Sequence, residues 1–342
     1  MSHPSTMQAW LYNSTTPNGV LPNLTFNPTA RSPPAPSRPN QVLIKVLSTA
    51  LNPADCKVPE QSTILGYTLI CTTPASPGLD FCGQVVATHP NHQGSFTPNQ
   101  LVYGCLARPR QFGTTGEYIL ADENDLAPLP SGVSIDDAAC VGVAMRTAYQ
   151  SLKSYLKAPG LKVFINGGSG GCGVFAIQFA KMLGAHVTVT CSARNIELVK
   201  SLGADEAIDY TAVNVTDILK AKGQVFDHVV DHIGLPGDLY AQAHHFLKPG
   251  GVWVQVGSGS ILTAVWRAIT PRFLGGGRRS FVPLMLANSK EDLVAVGEFL
   301  AEKKVRVVVD EVFGFEGVVE AYTKLRSGRA RGKIIVRVAE RE

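Results

Sequence analysis

The chain has no cysteine pair at metal-binding spacing, no long apolar run and no basic block, and each absence removes a class of function. Its seven cysteines, Cys56, Cys71, Cys82, Cys105, Cys140, Cys172 and Cys191, are odd in number, widely spread and never in a C-x-x-C pair. That pattern excludes a disulfide framework and a zinc ribbon and leaves reduced, mostly buried thiols. No apolar run reaches the roughly 20 residues of a membrane-crossing helix. The net charge is +4 and the pI about 8.6. Lys and Arg are nevertheless scattered and not interleaved with aromatics, so nucleic acid is not an expected partner. The first thirty residues carry no Lys or Arg and no basic-then-apolar signal pattern, which makes the cytoplasm the expected location. Internal repeats and low-complexity tracts are also absent.

What is present divides along the chain. At 342 residues there is room for about two domains with ample core. Up to about Pro130, short β-type runs (QVLIKVLSTAL, CGQVVATH, GEYILA) are broken by proline and glycine, as in a mostly β domain. From about Ser134 to Pro283 strand and helix patterns alternate: LKVFIN, a helix after Gly173, HVTVT, RNIELVKSL, FDHVVDHIG, a helix ending in HHFLKPGG, and VWVQVG. Alternation of this kind implies a doubly wound parallel sheet, an α/β fold. A helix near Lys290–Glu302, a strand VRVVVD, a helix near Glu316–Arg326 and a strand KIIVRV close the chain. The expected domains are 1–133, 134–283 and a return segment 284–342 that completes the first.

The densest signal is LKVFINGGSGGCG at Leu161–Gly173. A β-branched run enters Gly167, Gly168, Ser169, Gly170, Gly171, Cys172 and Gly173, and a helical pattern leaves it. Glycines here let the backbone turn sharply and aim helix N-terminal amides at a diphosphate. The next strand ends at Cys191 and Ser192, where a carboxylate would bind ribose hydroxyls and repel a 2′-phosphate. This chain places Ser192, Arg194 and Asn195 there, donors and a positive charge that favour NADP(H) over NAD(H). The plainer alternative is that Arg194 only decorates the first turn of the next helix. Gly257, after VWVQV, fits a loop at the carboxyl edge of the sheet that passes the nicotinamide end.

These motifs, together with NPADCK at Asn52–Lys57, PGLDFCGQV at Pro77–Val85, AMRTAYQSL at Ala144–Leu152, LGADEAIDY at Leu202–Tyr210 and SGRARGKIIV at Ser327–Val336, resemble the medium-chain dehydrogenase/reductases. Within that family the match is to the zinc-free quinone oxidoreductase and enoyl reductase branch, including fungal polyketide-associated enoyl reductases. The resemblance implies a GroES-like β domain, a Rossmann domain and an active site in the cleft between them. Zinc alcohol dehydrogenases place a Cys ligand where this chain has Asn52, and a His-Glu pair where it has Leu79 and Asp80. Their four-cysteine lobe is missing too, so no metal site is expected. Without a Lewis acid, the chemistry left is hydride addition to an already activated acceptor.

By the same resemblance Lys57 and Thr147 line the nicotinamide and substrate, Asn52 faces the same cleft, and Tyr210 flanks the adenosine phosphate. The plain readings are a solvated lysine for Lys57, a hydroxyl bonded back to its own helix for Thr147 and an aromatic packed at a strand end for Tyr210. Tyr67, Tyr118 or water would deliver the proton. The activity implied is NADPH-dependent reduction of an enone or carrier-bound enoyl thioester, beside a polyketide synthase. The alternatives are quinone reduction and a non-catalytic NADPH-binding protein. Most relatives are dimers, although some enoyl reductases acting on carrier-bound polyketides are monomers, so a homodimer is the expected assembly and a monomer the alternative. The segment 258–280, apolar with Arg267, Arg272, Arg278 and Arg279, suits a substrate wall or a dimer contact equally.

Three patterns mislead. Tyr149 and Lys153 satisfy Y-x-x-x-K but precede the glycine loop. His228 and His232 lie in a strand-like run, where four residues span about 13 Å, too far to share one metal. His244 and His245 read as polar residues at a helix end. Cys172 is expected to pack under the glycine loop, or to be a thiol shielded by the cofactor.

Overall fold

The computed structural model describes residues 4–14, 19–61, 72–92, 94–237, 239–256, 267 and 278–339. It divides into two compact units. Unit 1 comprises Met1–Arg146, Asn288–Lys303 and Val307–Glu342; unit 2 comprises Thr147–Ala287 and Lys304–Arg306.

Unit 1 begins with a ribbon of β1 (Thr6–Tyr12) and β2 (Leu24–Arg31), paired antiparallel. There follow β3 (Gln41–Ala50), α1 (Pro53–Gln61), β4 (Asp80–Thr88), β5 (Leu101–Cys105), β6 (Tyr118–Asp122), β7 (Leu126–Pro128) and α2 (Ile135–Ala139). β3 is buried almost throughout, nine of its ten residues, with Gln41, Ser48 and Thr49 buried among its apolar side chains, as in a strand covered on both faces. It pairs with β4 and β6, and its Ile44, Val46 and Val42 share a core with Phe81, Val102 and Leu126. Ser134 caps α2 by accepting the Asp137 N–H at 3.0 Å, satisfying one of the orphan donors of the first turn.

Unit 2 carries the alternating pattern. Its elements are α3 (Arg146–Gln150, opening on the last residue of unit 1), β8 (Lys162–Asn166), α4 (Gly173–Met182), β9 (His186–Cys191), α5 (Ile196–Ser201), β10 (Glu206–Asp209), α6 (Val215–Lys222), β11 (Phe226–Asp231), β12 (Leu247–Gln255) and β13 (Ser280–Pro283). The six strands form a parallel sheet in the order β10-β9-β8-β11-β12-β13. Its central strands are continuous buried runs, as a sheet covered by helices on both faces requires. One expected helix does not form: before HHFLKPGG the chain makes turns and a single 3-10 turn, Ala243–His245. Leu239, Tyr240, Ala243 and Phe246 still bury against Trp253 and Phe164, so helix-like apolar spacing is satisfied by turns.

The chain then returns to unit 1 through α7 (Lys290–Ala301), β14 (Val309–Phe313), α8 (Val318–Arg326) and β15 (Lys333–Arg337). β15 pairs antiparallel with β3, completing a sheet ordered β14-β15-β3-β4-β5-β7. β14 starts four residues later than VRVVVD suggests. Arg306 N donates to Gln178 Oε1 at 2.8 Å and Gln178 Nε2 donates to Arg306 O at 3.0 Å, so that stretch is held by α4.

Candidate functional site

The glycine turn of unit 2 is shaped by close approach. Gly167 has φ +89°, where only glycine sits without strain. A Cβ on Gly173 would run into the Gly167 carbonyl oxygen and lie 2.7 Å from the Gly168 carbonyl carbon; one on Gly168 would lie 2.8 Å from Val189 Cβ. Gly170 is open, with its nearest such contact 3.7 Å away. α4 begins at Gly173 with no side-chain cap; its N-cap is the half-buried Cys172. The first amides of this ten-residue helix are therefore not taken by a capping side chain, the arrangement that receives an anion.

At the end of β9 the sequence-predicted residues converge. Asn195 is buried; its Nδ2 donates to Ser169 Oγ at 2.9 Å and to Ser192 Oγ at 3.3 Å, while its buried Oδ1 has no partner. Glycine turn and strand end are thus tied together, with an acceptor left over. Arg194 is exposed on the same 3-10 turn, and Tyr210, 56 % exposed, follows β10. Asp209, missed in the sequence, ends β10 beside Cys191. Its carboxylate accepts from Thr211 N and Oγ1 and from Ala193 N, bonds that hold its pKa below the ordinary value. That carboxylate anchors the turn that carries Arg194.

A polar belt runs across the carboxyl ends of four strands. Gly167 N donates to Thr190 Oγ1 (2.8 Å), Thr190 Oγ1 to Asn166 Oδ1 (2.7 Å), and Asn166 Nδ2 to Asp231 Oδ1 (2.9 Å). Asp231 also accepts from Ile233 N and Gly234 N, and Gln255 Nε2 donates to the Asp231 carbonyl. Burial raises the Asp231 pKa above the usual carboxylate value. Polar residues ending otherwise apolar strands were the available signal for this belt. His228, inside β11, has its ring nitrogens 2.9 and 2.8 Å from the carbonyl oxygens of Val252 and Ser151, a structural placement.

In unit 1, Asn52 is buried in a network of its own. Its Nδ2 donates to Ala50 O (3.0 Å) and Asp80 Oδ2 (2.8 Å), and its Oδ1 accepts from Lys333 Nζ (2.7 Å). Both amide hydrogens are committed, so Asn52 has none to give a substrate carbonyl in this arrangement. Lys333 Nζ also donates to Leu51 O (3.0 Å) and lies 3.6 Å from Asp80 Oδ2. Asp55 caps the same corner, its Oδ2 accepting from Asn52 N (2.8 Å) and Tyr322 OH (3.2 Å). Burial pushes the Asp55 carboxyl up to about 7, and its Oδ1 has no partner. This set does not fit zinc: the Asn52 amide is neutral and its oxygen is turned toward an ammonium. Among the described residues, no three of His, Cys, Asp and Glu cluster to hold a metal ion.

Lys57 is exposed on α1 of unit 1; Thr147 is buried on α3 at the start of unit 2. Tyr118 is half-buried against Met7, Ala9 and Ala30. Tyr67, Gly257, Cys71 and most of 258–280 lie outside the described residues. Cys56, Cys82, Cys105, Cys140 and Cys191 are free and buried.

A wound parallel sheet whose first strand passes through a glycine turn into an uncapped helix defines a dinucleotide-binding protein. Comparison with known proteins narrows this. Residues 38–131 match the alcohol dehydrogenase GroES-like domain and residues 202–336 the zinc-binding dehydrogenase domain. A trans-enoyl reductase of Aspergillus terreus, pgmF, is 45% identical over 351 residues, covering 98% of each chain. A chloroplastic quinone-oxidoreductase homolog of Spinacia oleracea is 30% identical over 87% of this chain and 89% of its own. The quinone oxidoreductase of Coxiella burnetii superposes with a TM-score of 0.84 at 28% identity, covering 97% of this chain and 99% of its own. The chain belongs to the medium-chain dehydrogenase/reductases, oxidoreductases that use a nicotinamide cofactor.

Proposed function

We propose that the chain is a zinc-independent, NADPH-dependent reductase of activated carbon–carbon double bonds, acting on an enone or a carrier-bound enoyl thioester. The observation that supports the reading is the buried Asn52–Lys333–Asp80 network, whose neutral amide and ammonium make a poor ligand set for a Lewis-acid metal. An acceptor that delocalises its own charge is then required. Preference for the 2′-phosphate is supported by Ser192, Arg194 and Asn195 at the end of β9, with Asp209 engaged by backbone donors. The 45% identity to a trans-enoyl reductase supports the substrate class.

When bound, the dihydronicotinamide supplies a hydride. In this scheme the Lys57 ammonium stabilises enolate charge on the substrate oxygen, and the Thr147 hydroxyl orients the carbonyl. Water delivers a proton to Cα. Asn52 acts as a positioning residue, fixing the start of the helix that bears Lys57. Quinone reduction is the second reading, favoured by the spinach and Coxiella relatives; it needs the same cofactor and differs in the acceptor.

The test is oxidation of NADPH and NADH with a simple enone, a crotonyl thioester, a naphthoquinone and a saturated aldehyde, each with and without chelator. Chelator-insensitive turnover of enone or thioester with NADPH is the expected result. Turnover of the quinone alone promotes the second reading. Tight NADPH binding with no turnover of any acceptor favours a protein that only holds its cofactor.

A further inference from the structure

His232 immediately follows β11, and its N–H donates to Asn166 O at 3.1 Å. The residue is thus fixed where the carboxyl ends of β8 and β11 meet. A Cβ built on Gly167 would lie 3.8 Å from His232 Cβ, so the side chain leaves the backbone beside the glycine turn. Both ring nitrogens are buried, and neither has a hydrogen-bond partner. His228, on the same strand, has a carbonyl oxygen at each ring nitrogen. Buried polar atoms without partners are rare and costly, and each demands an explanation. Strand order reverses between β8 and β11, the point at which an open parallel sheet receives a dinucleotide.

We propose that His232 is a cofactor-binding residue, its ring completed by a ribose hydroxyl on the nicotinamide half of the bound dinucleotide. This rests on the dinucleotide reading of the glycine turn. The half is chosen by position: Ser192, Arg194 and Tyr210 assign the adenosine side to the ends of β9 and β10, leaving the β11 side for the other half. The group is chosen by chemistry. Burial pushes the imidazole down to about 4, so at neutral pH it offers one donor and one acceptor. A ribose hydroxyl matches both, whereas a diphosphate oxygen only accepts.

The test is calorimetric binding of NADPH and of adenosine 2′,5′-bisphosphate, which lacks the nicotinamide half, to wild type, His232→Leu and His232→Asn. The leucine variant is expected to lose about tenfold or more in NADPH affinity, to bind the bisphosphate as wild type does, and to unfold no earlier when ligand-free. The asparagine variant recovers most of the lost affinity. On wild-type protein, the ring-nitrogen resonances of His232 should shift with NADPH and stay put with the bisphosphate, a readout that does not depend on a variant folding. Parallel losses for both ligands, or none for either, would assign His232 to packing alone and overturn the proposal. Wild type that binds neither ligand would overturn the dinucleotide reading beneath it.

Discussion

Replacing Lys333 by Met keeps most of the side-chain stem and removes the ammonium. That group donates to Leu51 O at 3.0 Å and Asn52 Oδ1 at 2.7 Å and faces Asp80 Oδ2 at 3.6 Å; the two charged side chains are 2 % and 0 % exposed. Asp80 would keep the Val143 N–H (2.7 Å) and the Asn52 amide (2.8 Å) but lose its buried counter-charge. Stranding one member of a buried pair costs about 3–5 kcal/mol. Unit 1 has roughly 200 residues, a size at which each kcal/mol moves the unfolding midpoint by about 2–4 °C, so a fall of about 6–20 °C follows. Urea and thermal unfolding of the full chain measure it. Adding Asp80→Asn should recover more than half of the loss, because a neutral amide then replaces the stranded carboxylate. A Lys333→Met chain within about 1 kcal/mol of wild type, or a double variant no better than the single, would refute the reasoning.

Gly173→Ala should destabilise by about 1–3 kcal/mol and weaken NADPH binding, since its Cβ meets backbone that cannot yield, while Gly170→Ala should melt with wild type; equal midpoints for the two variants would contradict the account of the turn. Because Asp55 is held up at about 7, the folded chain keeps a proton that the unfolded chain releases near pH 4. Stability should therefore fall as pH rises from about 4 to 7, on the order of 4 kcal/mol, and Asp55→Asn should flatten that slope in pH-resolved urea titrations; identical slopes would show that Asp55 titrates normally. Arg194→Ala should weaken NADPH about tenfold or more and NADH far less, and equal losses in direct binding would sink the 2′-phosphate assignment.

The glycine turn was legible because the apolar period changes across it, from the run Val163–Ile165 to the helix opened by Val174 and Phe175, and local chemistry dictates the rest. Ser192, Asn195 and Ser169 were legible for the same reason: a strand end beside a glycine turn is a local event. Lys333 was not, since a lysine between Gly332 and Ile334 carries no sign of a partner 281 positions away. Burial selected it, and burial is a property of the assembled sheet. Asn52 could be singled out from its motif, but the direction of its amide depends on Lys333 and Asp80 together. The missing helix before HHFLKPGG has a similar cause. Spacing at 239, 243 and 246 reports that one side is buried without saying what backbone presents it.

The glycine turn is also a statement about kinetics. Seven residues that include five glycines suggest slack, yet Gly167 is fastened through Thr190, Asn166 and Asp231 to neighbouring strands, and Gly168 and Gly173 interlock with no clearance. Glycine here brings rigidity, because only its bare backbone allows parts to seat so closely. A ligand meeting such a surface would find a template, not a hinge, and its capture is expected to need no refolding of the turn, a step that otherwise slows association.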